Sequence, residues 1–260
     1  MNKIKQFCAL HNTADILFLG NAWDVLSART LEKSGFQAIG TTSWGIAASL
    51  GYADGENIDF GLHLSIIKMI VDHVQIPVSA DIEAGYGEAE RTIVDHVLRT
   101  ADLGVAGINI EDSFKRKPGL RELQDHAQLL GKMRNALDHH GFADFYINAR
   151  IDTYFRREAP FAETIERGKA YVESGVSGIF VPGLRAEEEI RAITQQIVAP
   201  LNVLSLPGMT DANKLAELGV KRFSIGNDFY DQIASYARKS ATRMVETKDS
   251  SSLYELKTEL

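Results

Sequence analysis

Cysteine is almost absent from this sequence: of 260 residues, only Cys8 carries a thiol. An intramolecular disulfide and a cysteine-built zinc cage are therefore excluded, and the composition suits a reducing, cytoplasmic setting. Cys8 itself reads as a packing residue. Proline is scarce at 6 residues, and no proline- or serine-rich linker divides the chain. One domain over 1–260 is the expectation. Basic stretches are missing as well: the net charge is −7, and the densest cationic cluster is the short Lys115-Arg116-Lys117. Neither nucleic acid nor an anionic membrane is an expected partner. Long apolar runs are also lacking. Met1-Asn2-Lys3-Ile4-Lys5-Gln6-Phe7 has no uninterrupted apolar core of the signal-peptide kind, and no later run approaches membrane-spanning length.

What is present is a repeating pattern. Short apolar, β-branched runs alternate with longer stretches of helical periodicity, the signature of βα units, and about eight such units can be counted. The runs lie at 16–19, 37–40, 76–79, 106–110, 145–149, 178–181, 201–204 and 222–225, with amphipathic stretches at 22–33, 62–73, 88–103, 122–139 and 163–173. Several helices end in a similar phrase, as in Lys33-Ser34-Gly35-Phe36, Asp102-Leu103-Gly104-Val105, Glu173-Ser174-Gly175-Val176 and Glu217-Leu218-Gly219-Val220. A glycine C-cap followed by an apolar strand entry explains each. The pattern predicts an α/β fold, a (β/α)8 TIM-type barrel with additional C-terminal helices. A doubly wound open sheet is the alternative, but the first predicted strand is followed by Gly20-Asn21-Ala22-Trp23-Asp24 where a phosphate-binding fingerprint would stand. A helical tail at 240–260 closes the reading.

In such barrels chemistry collects at the C-terminal strand ends. Those ends are rich in ionisable residues: Asp81 and Glu83 after the third run, Glu111 and Asp112 after the fourth, Arg150 and Asp152 after the fifth, with Asp54 in the loop after the second. Asp81 and Glu83 alternate and should face one way while the strand lasts, with Glu111 at matching height on the next strand. Converging carboxylates repel unless a cation sits among them. Only oxygen ligands are offered, with neither Cys nor His nearby, so Mg²⁺, or else Mn²⁺, is the expected metal, held by Asp81, Glu83 and Glu111. Arg150 can grip a carboxylate or phosphate with two parallel hydrogen bonds, or pair with Glu111 or Asp152. The backbone and the Ser43 hydroxyl in Thr41-Thr42-Ser43-Trp44-Gly45-Ile46 can cradle an anionic oxygen, while Trp44 reads equally as a pocket wall or a core residue. His63, His73, His96, His126, His139 and His140 fall on helices and read as surface or packing residues.

These motifs together resemble the isocitrate lyase and phosphoenolpyruvate mutase superfamily. The phrases carrying the resemblance are Thr42-Ser43-Trp44-Gly45 through Gly55, Asp81-Ile82-Glu83-Ala84-Gly85-Tyr86-Gly87, Asn109-Ile110-Glu111-Asp112 and Ala149-Arg150-Ile151-Asp152, with Asn202-Val203-Leu204 and Gly219 to Ser224 similar to its later strands. The resemblance implies Mg²⁺ bound at Asp81, with Glu83, Glu111 and Asp54 in its water shell. It also implies a substrate carboxylate held by Arg150 and the backbone around Ser43 to Ile46. A small α-keto or hydroxy acid is the implied partner, an enolate-like intermediate the shared chemistry, and a homo-oligomer with an exchanged C-terminal helix the assembly. Asp54, Arg150 and Glu111 are the expected catalytic residues; Ser43, Trp44, Gly45, Arg150, Asn202 and Asn227 are expected to contact substrate.

The departures narrow the chemistry. Lyases of isocitrate and 2-methylisocitrate carry Lys-Lys/Arg-Cys-Gly-His after the fourth strand, whereas Ser113-Phe114-Lys115-Arg116-Lys117-Pro118-Gly119-Leu120 has neither cysteine nor histidine. The gating-loop asparagine of phosphonate enzymes is missing between Ser113 and Glu122. The remaining resemblance is to oxaloacetate decarboxylase-like members, although Asn227 stands where those have a histidine. An Mg-dependent lyase or decarboxylase is the leading expectation, with C–P chemistry or a non-catalytic α-keto-acid binder as alternatives. Tyr52, Asp54, Tyr86 and the 115–117 segment are the candidate proton donors.

Overall fold

The glycines predicted to close helices take the left-handed conformation that the prediction needs: φ is 95° at Gly35, 88° at Gly104, 91° at Gly175 and 93° at Gly219. Each lets the chain reverse from a helix into the next strand without the penalty a side chain would incur. The computed structural model describes residues 2–254. Helix α1 (Lys3–Leu10) precedes β1 (Leu17–Ala22), α2 (Val25–Lys33), β2 (Ile39–Thr41), α3 (Ser43–Ser49), α4 (Phe60–His73) and β3 (Val78–Asp81). There follow α5 (Glu90–Asp102), β4 (Gly107–Glu111), α6 (Leu123–His139), β5 (Tyr146–Arg150), α7 (Thr153–Arg156) and α8 (Pro160–Glu173). The chain continues through β6 (Gly178–Phe180), α9 (Glu187–Gln196), β7 (Leu201–Leu204), α10 (Ala212–Glu217), β8 (Arg222–Ser224) and α11 (Asp228–Thr247).

Strands β1 to β8 pair in parallel in chain order, and β8 returns to β1 with Arg222 opposite Leu17, closing the barrel. The doubly wound alternative is excluded. Among the described residues no helix is long and apolar enough to cross a membrane. The first strand runs on to Ala22, where the sequence reading already started a helix. The helix waits for Asp24, whose carboxylate accepts the Ser27 N–H at 2.7 Å while Ser27 Oγ accepts the Asp24 N–H at 3.1 Å. That reciprocal cap fixes the start. The third strand is also shifted, running to Asp81 because its pairing with β4 sets Asp81 opposite Asn109. Of the expected tail, 240–247 belong to α11, Ser251–Tyr254 form a 3₁₀ turn, and 255–260 lie outside the described residues.

The main core lies between barrel and helices, around residues such as Ile67, Ile93, Leu130, Ile179 and Phe223. Inside the barrel the composition changes along the axis. At its N-terminal end Leu17, Leu19, Ala38, Ala106 and Tyr146 pack on Phe7 of α1, which plugs the opening. Higher up, the buried residues Ser79, Asn109, Asn148, Asn202, Arg222 and Ser224 stand where such barrels usually stack branched aliphatics.

Candidate active site

At the C-terminal mouth, the loop after β3 and the segment near Glu56 are locked together by a strained backbone. Glu56, Glu83 and Tyr86 have φ of 59°, 51° and 55°, a conformation costing about 1–3 kcal/mol at each non-glycine residue. Hydrogen bonds offset it. The Glu56 N–H donates to both Glu83 carboxylate oxygens at 3.1 and 3.0 Å, and Glu56 Oε1 accepts the N–H groups of Ala84 and Tyr86 at 3.1 and 2.7 Å. The Tyr86 hydroxyl donates to Glu83 Oε1 at 2.8 Å. Burial, with the neighbouring Glu83 charge, holds the Tyr86 phenol above its ordinary range. It therefore stays a donor.

This geometry alters the expected carboxylate cluster. Because β3 ends at Asp81 and Glu83 then adopts positive φ, the two side chains do not share a direction. Asp81 Oδ2 accepts the Ser43 hydroxyl at 2.8 Å and the Ser43 N–H at 3.3 Å. Its backbone is fixed from both sides: its N–H donates to Thr41 Oγ1 at 2.8 Å, and its carbonyl lies 2.9 Å from His63 Nε2. A histidine is thus near the acids after all, brought by α4 from distant sequence, although it touches the Asp81 backbone and not its carboxylate. Burial lowers the His63 pKa, which favours a neutral ring.

Glu83 and Glu111 converge instead on Lys115. Its ammonium lies 3.1 Å from Glu83 Oε2 and 2.6 Å from Glu111 Oε1, while Arg150 Nη1 approaches Glu111 Oε2 at 3.0 Å. Burial opposes the charge on Lys115, but Glu111 and Glu83 overcome it and hold the ammonium above the ordinary lysine range. Burial likewise pushes Glu111 upward against the pull of Arg150 and Lys115. We place the proton on Lys115, since two cations within 3.0 Å of Glu111 favour its carboxylate form. Lys115 reaches this position because 113–120 closes as a short hairpin, with Ser113 bridged to Leu120 and the Phe114 N–H donating to the Gly119 carbonyl at 3.1 Å. Phe114 is flanked by Lys117 and Arg121, at 4.0 and 5.1 Å from its ring centre.

A cavity of about 210 Å³ opens above the strands. Its polar side comes from β2 to β5 and includes Ser43, Asp54, Asp81, Asn109 and Arg150. Its apolar side comes from the opposite strands and α7: Phe155, Phe180, Pro182 and Leu204. Arg150 is oriented by Asp152, which accepts from its Nε at 2.6 Å and Nη2 at 3.2 Å. Asp152 and Glu111 outweigh burial and keep this guanidinium charged, with donors left over for a ligand. Burial raises the Asp54 carboxyl above the usual range, and its Oδ1 is buried with no protein partner among the described residues.

The donor set at the cavity is composed of oxygen, as a hard cation prefers. Asp81 and the unpartnered Asp54 fit a largely hydrated Mg²⁺ held by one direct carboxylate. Glu83 and Glu111 are turned to Lys115 in this structure, and among the described residues no group of three or more His, Cys, Asp or Glu side chains is gathered as a closed metal cage. Of the expected substrate contacts, Ser43, Trp44, Arg150 and Asn227 line the cavity. The Trp44 indole N–H and the Asn227 amide both donate to Asp231 of α11, at 3.3 and 2.5 Å. Gly45 and Asn202 are not brought to it. Gly45 is buried in α3, where a Cβ would meet Thr42 Cγ2 at 2.8 Å, and Asn202 lies below, accepting the Ser224 hydroxyl at 3.2 Å. Sequence reading missed Glu56, Asn109 and the apolar wall. Asn109, Phe180 and Leu204 lie in strands that the sequence does predict, and Asn109 stands in the phrase at 109–112, but without the register between strands nothing tells which of their alternating side chains face the cavity.

A closed parallel barrel with an arginine and several acids at the C-terminal mouth defines a class: TIM-barrel proteins that carry their chemistry on strand ends. Within it, this chain belongs to the phosphoenolpyruvate phosphomutase family, whose model matches residues 7–245, in the superfamily that also contains isocitrate lyase. It is 39% identical over 240 residues to an uncharacterised protein of Mycobacterium tuberculosis, covering 92% of this chain and 88% of the relative. It is 31% identical over 218 residues to 2,3-dimethylmalate lyase of Eubacterium barkeri, covering 82% and 71%. A crystal structure from Burkholderia cenocepacia superposes with a TM-score of 0.87 at 35% identity, covering 95% of this chain and all (100%) of the other. The superfamily's members include lyases, mutases and hydrolases.

Proposed function

We propose that the protein is a divalent-metal-dependent lyase that breaks a C–C bond in a small 2-oxo or 2-hydroxy acid by way of an enolate-like intermediate. The observation carrying this reading is that Asp81, Asp54, Ser43 and Arg150 meet at one small cavity. Its volume of about 210 Å³ falls below the roughly 300–1,000 Å³ of drug-sized sites and suits a short acid.

The oxygen donors support Mg²⁺ as the metal, held by Asp81 with Asp54 beside it and Glu83 and Glu111 completing the acidic surroundings. When bound, it would withdraw electron density from the substrate's carbonyl oxygen. The protein's own groups carry the other roles. Arg150, prevented from rotating by Asp152 and Glu111, binds the substrate carboxylate. Where CO₂ departs, the electron pair of the breaking C–C bond moves toward the carbonyl oxygen; where an oxo compound departs, its hydroxyl gives its proton to the Asp54 carboxylate as the pair moves toward the carbonyl or carboxyl group next to the carbon left behind. That carbon then takes a proton. Asp54 is the group we assign to that proton, since it faces the cavity and its Oδ1 has no protein partner among the described residues. Lys115 offsets part of the charge of Glu83 and Glu111 and so lessens their repulsion of an anionic substrate. A homo-oligomer is also proposed. In α11 no residue is buried by the chain itself, and Ile233, Tyr236 and Val245 are exposed.

A coupled pyruvate assay with Mg²⁺ over short 2-oxo and 2-hydroxy diacids tests the reading. We expect product from wild type and little from Asp81→Ala; equal rates in the two proteins would refute it. Phosphate release from phosphonopyruvate would move the assignment to C–P chemistry, and saturable binding with no turnover would move it to a binding protein.

A further inference from the structure

Arg222 is buried deep inside the barrel at 1% exposure, and its charge has no carboxylate within ion-pairing distance among the described residues. Its Nη2 donates to Asn109 Oδ1 at 3.3 Å, and the guanidinium lies 5.7 Å from the ring centre of Phe7. Its Nε and Nη1 have no protein partner among the described residues. Burial pushes its pKa down to about 10, with Tyr146 and Asp81 pulling the other way. A cation left this incompletely paired is expensive, and a packed aliphatic layer would serve stability better.

The chemistry of the pair determines which way Asn109 faces. A guanidinium has donors and no acceptor, so the Asn109 atom facing Arg222 must be the amide oxygen. Asn148 agrees, its Nδ2 donating to the same oxygen at 2.8 Å. With its oxygen held by Arg222 from below and by its in-register neighbour Asn148 from the side, Asn109 has its NH₂ group left for another partner. Asn109 lines the cavity and pairs in register with Asp81 on the neighbouring strand. The result is a donor fixed at the cavity floor beside Asp81, one residue pair deeper than Glu111.

We propose that Asn109 is a substrate-binding and specificity-determining residue, its amide N–H₂ donated to an anionic oxygen of the bound acid, and that Arg222 is the positioning residue which sets that amide and adds positive potential beneath it. The inference rests on the reading that a small carboxylic acid occupies this cavity. A ligand oxygen with negative charge gains a charge-assisted hydrogen bond here, while a group that is itself a donor at this point meets the NH₂ face to face. The floor therefore selects acids that place a carboxylate or an enolate-like oxygen over Asn109.

Oxalate, a planar diacid that resembles the enolate of pyruvate in shape and charge, is the probe. It would be titrated calorimetrically into full-length wild type, Asn109→Leu, Asn109→Asp, Arg222→Met and Arg222→Lys, with Mg²⁺ and with EDTA, alongside thermal melts. We expect wild type to bind, and Asn109→Leu to bind about tenfold to a hundredfold more weakly, the loss expected of a hydrogen bond to a charged group. Arg222→Met should also weaken binding, and Arg222→Lys should restore part of it. Asn109→Asp keeps the side-chain shape and gives Arg222 a carboxylate partner, so it should fold at least as stably as wild type while losing oxalate affinity. A purely structural Asn109 predicts the opposite: altered melting with affinity within twofold of wild type in both Asn109 variants. That outcome overturns the proposal and leaves the cavity reading intact. Failure of wild type itself to bind oxalate overturns the cavity reading, and this inference with it.

Discussion

Glu111 and Asp112 are neighbours at the end of β4, and both are buried, at 1% and 0% exposure. Glu111 faces the barrel mouth, where Lys115 and Arg150 hold it at 2.6 and 3.0 Å. Asp112 faces outward into the helical layer. There Oδ2 accepts from the Tyr171 hydroxyl at 2.9 Å and Arg167 Nη1 at 3.3 Å, while Oδ1 accepts the Asp152 N–H at 2.9 Å. The partners of Asp112 are a closed set within the structure, which ties α8 to the ends of β4 and β5. Those of Glu111 are cations beside an opening. Two carboxylates with the same chemistry and burial thus differ because one network ends in protein and the other ends at a cavity. Asp152 joins them, orienting Arg150 with its carboxylate and Asp112 with its backbone.

The comparison can be broken by experiment. The largest effects should fall on turnover at the mouth, where Asp81→Ala should reduce kcat/KM by about a thousandfold and Glu111→Gln by about a hundredfold, with melting temperatures nearly unchanged. On the other side, Asp112→Ala should cost about 2–3 kcal/mol of stability in denaturant unfolding, because it removes the buried acceptor of the Tyr171 hydroxyl, Arg167 Nη1 and the Asp152 N–H, while Arg167 keeps Glu163 at 2.7 Å. A stable Asp112→Ala protein with lost activity would erase the distinction. A smaller effect tests the wall behind Asp112, where His126 packs edge-on against Tyr171 with ring centres 5.0 Å apart. Burial pushes His126 down to about 3, aided by Arg121 and Arg167, and burial with Arg222 does the same to His11.

A histidine whose folded pKa lies below its unfolded value of about 6.5 keeps its stabilising contribution above that pH and loses it as pH falls. Unfolding free energy should therefore drop between pH 7 and pH 5 by about 2 kcal/mol for each of the two histidines. Chemical denaturation at both pH values, repeated with His126→Leu, should show a shallower fall in the variant. The smallest effect is expected at Lys117, whose ammonium sits 4.0 Å from the Phe114 ring centre. Lys117→Met should cost at most about 0.5–1 kcal/mol and leave turnover unaltered, whereas Lys115→Met, two positions away, should impair it. Equal effects of the two substitutions would remove the special status given to Lys115.

Much of this was legible from residue order. The glycine-plus-apolar phrases at Gly35, Gly104, Gly175 and Gly219 marked helix ends, because a left-handed residue there has few alternatives to glycine. Acids at strand ends drew attention to the mouth. The strand boundaries were less legible, since Asp24 and Ser27 start a helix by a reciprocal cap while the apolar pattern around Ala22 suits either state. Glu83 shows the limit most clearly. Alternation placed it beside Asp81, but positive φ turned it toward Glu56 and Lys115, and positive φ at a glutamate has no sequence signal.

By itself, the sequence determined the βα repeat, the closed barrel's strand order, the strand ends where acids collect and the family. These follow from periodicity and local backbone preference, which residue order carries directly. Only the tertiary structure decided which acids face one another. It brought His63 to the Asp81 backbone, set Lys115 between Glu83 and Glu111, separated Asn202 from the cavity and placed Asn109 on its floor over Arg222. Each of those outcomes depends on the register between neighbouring strands and on loop torsions, where a shift of one residue sends a side chain to the opposite face.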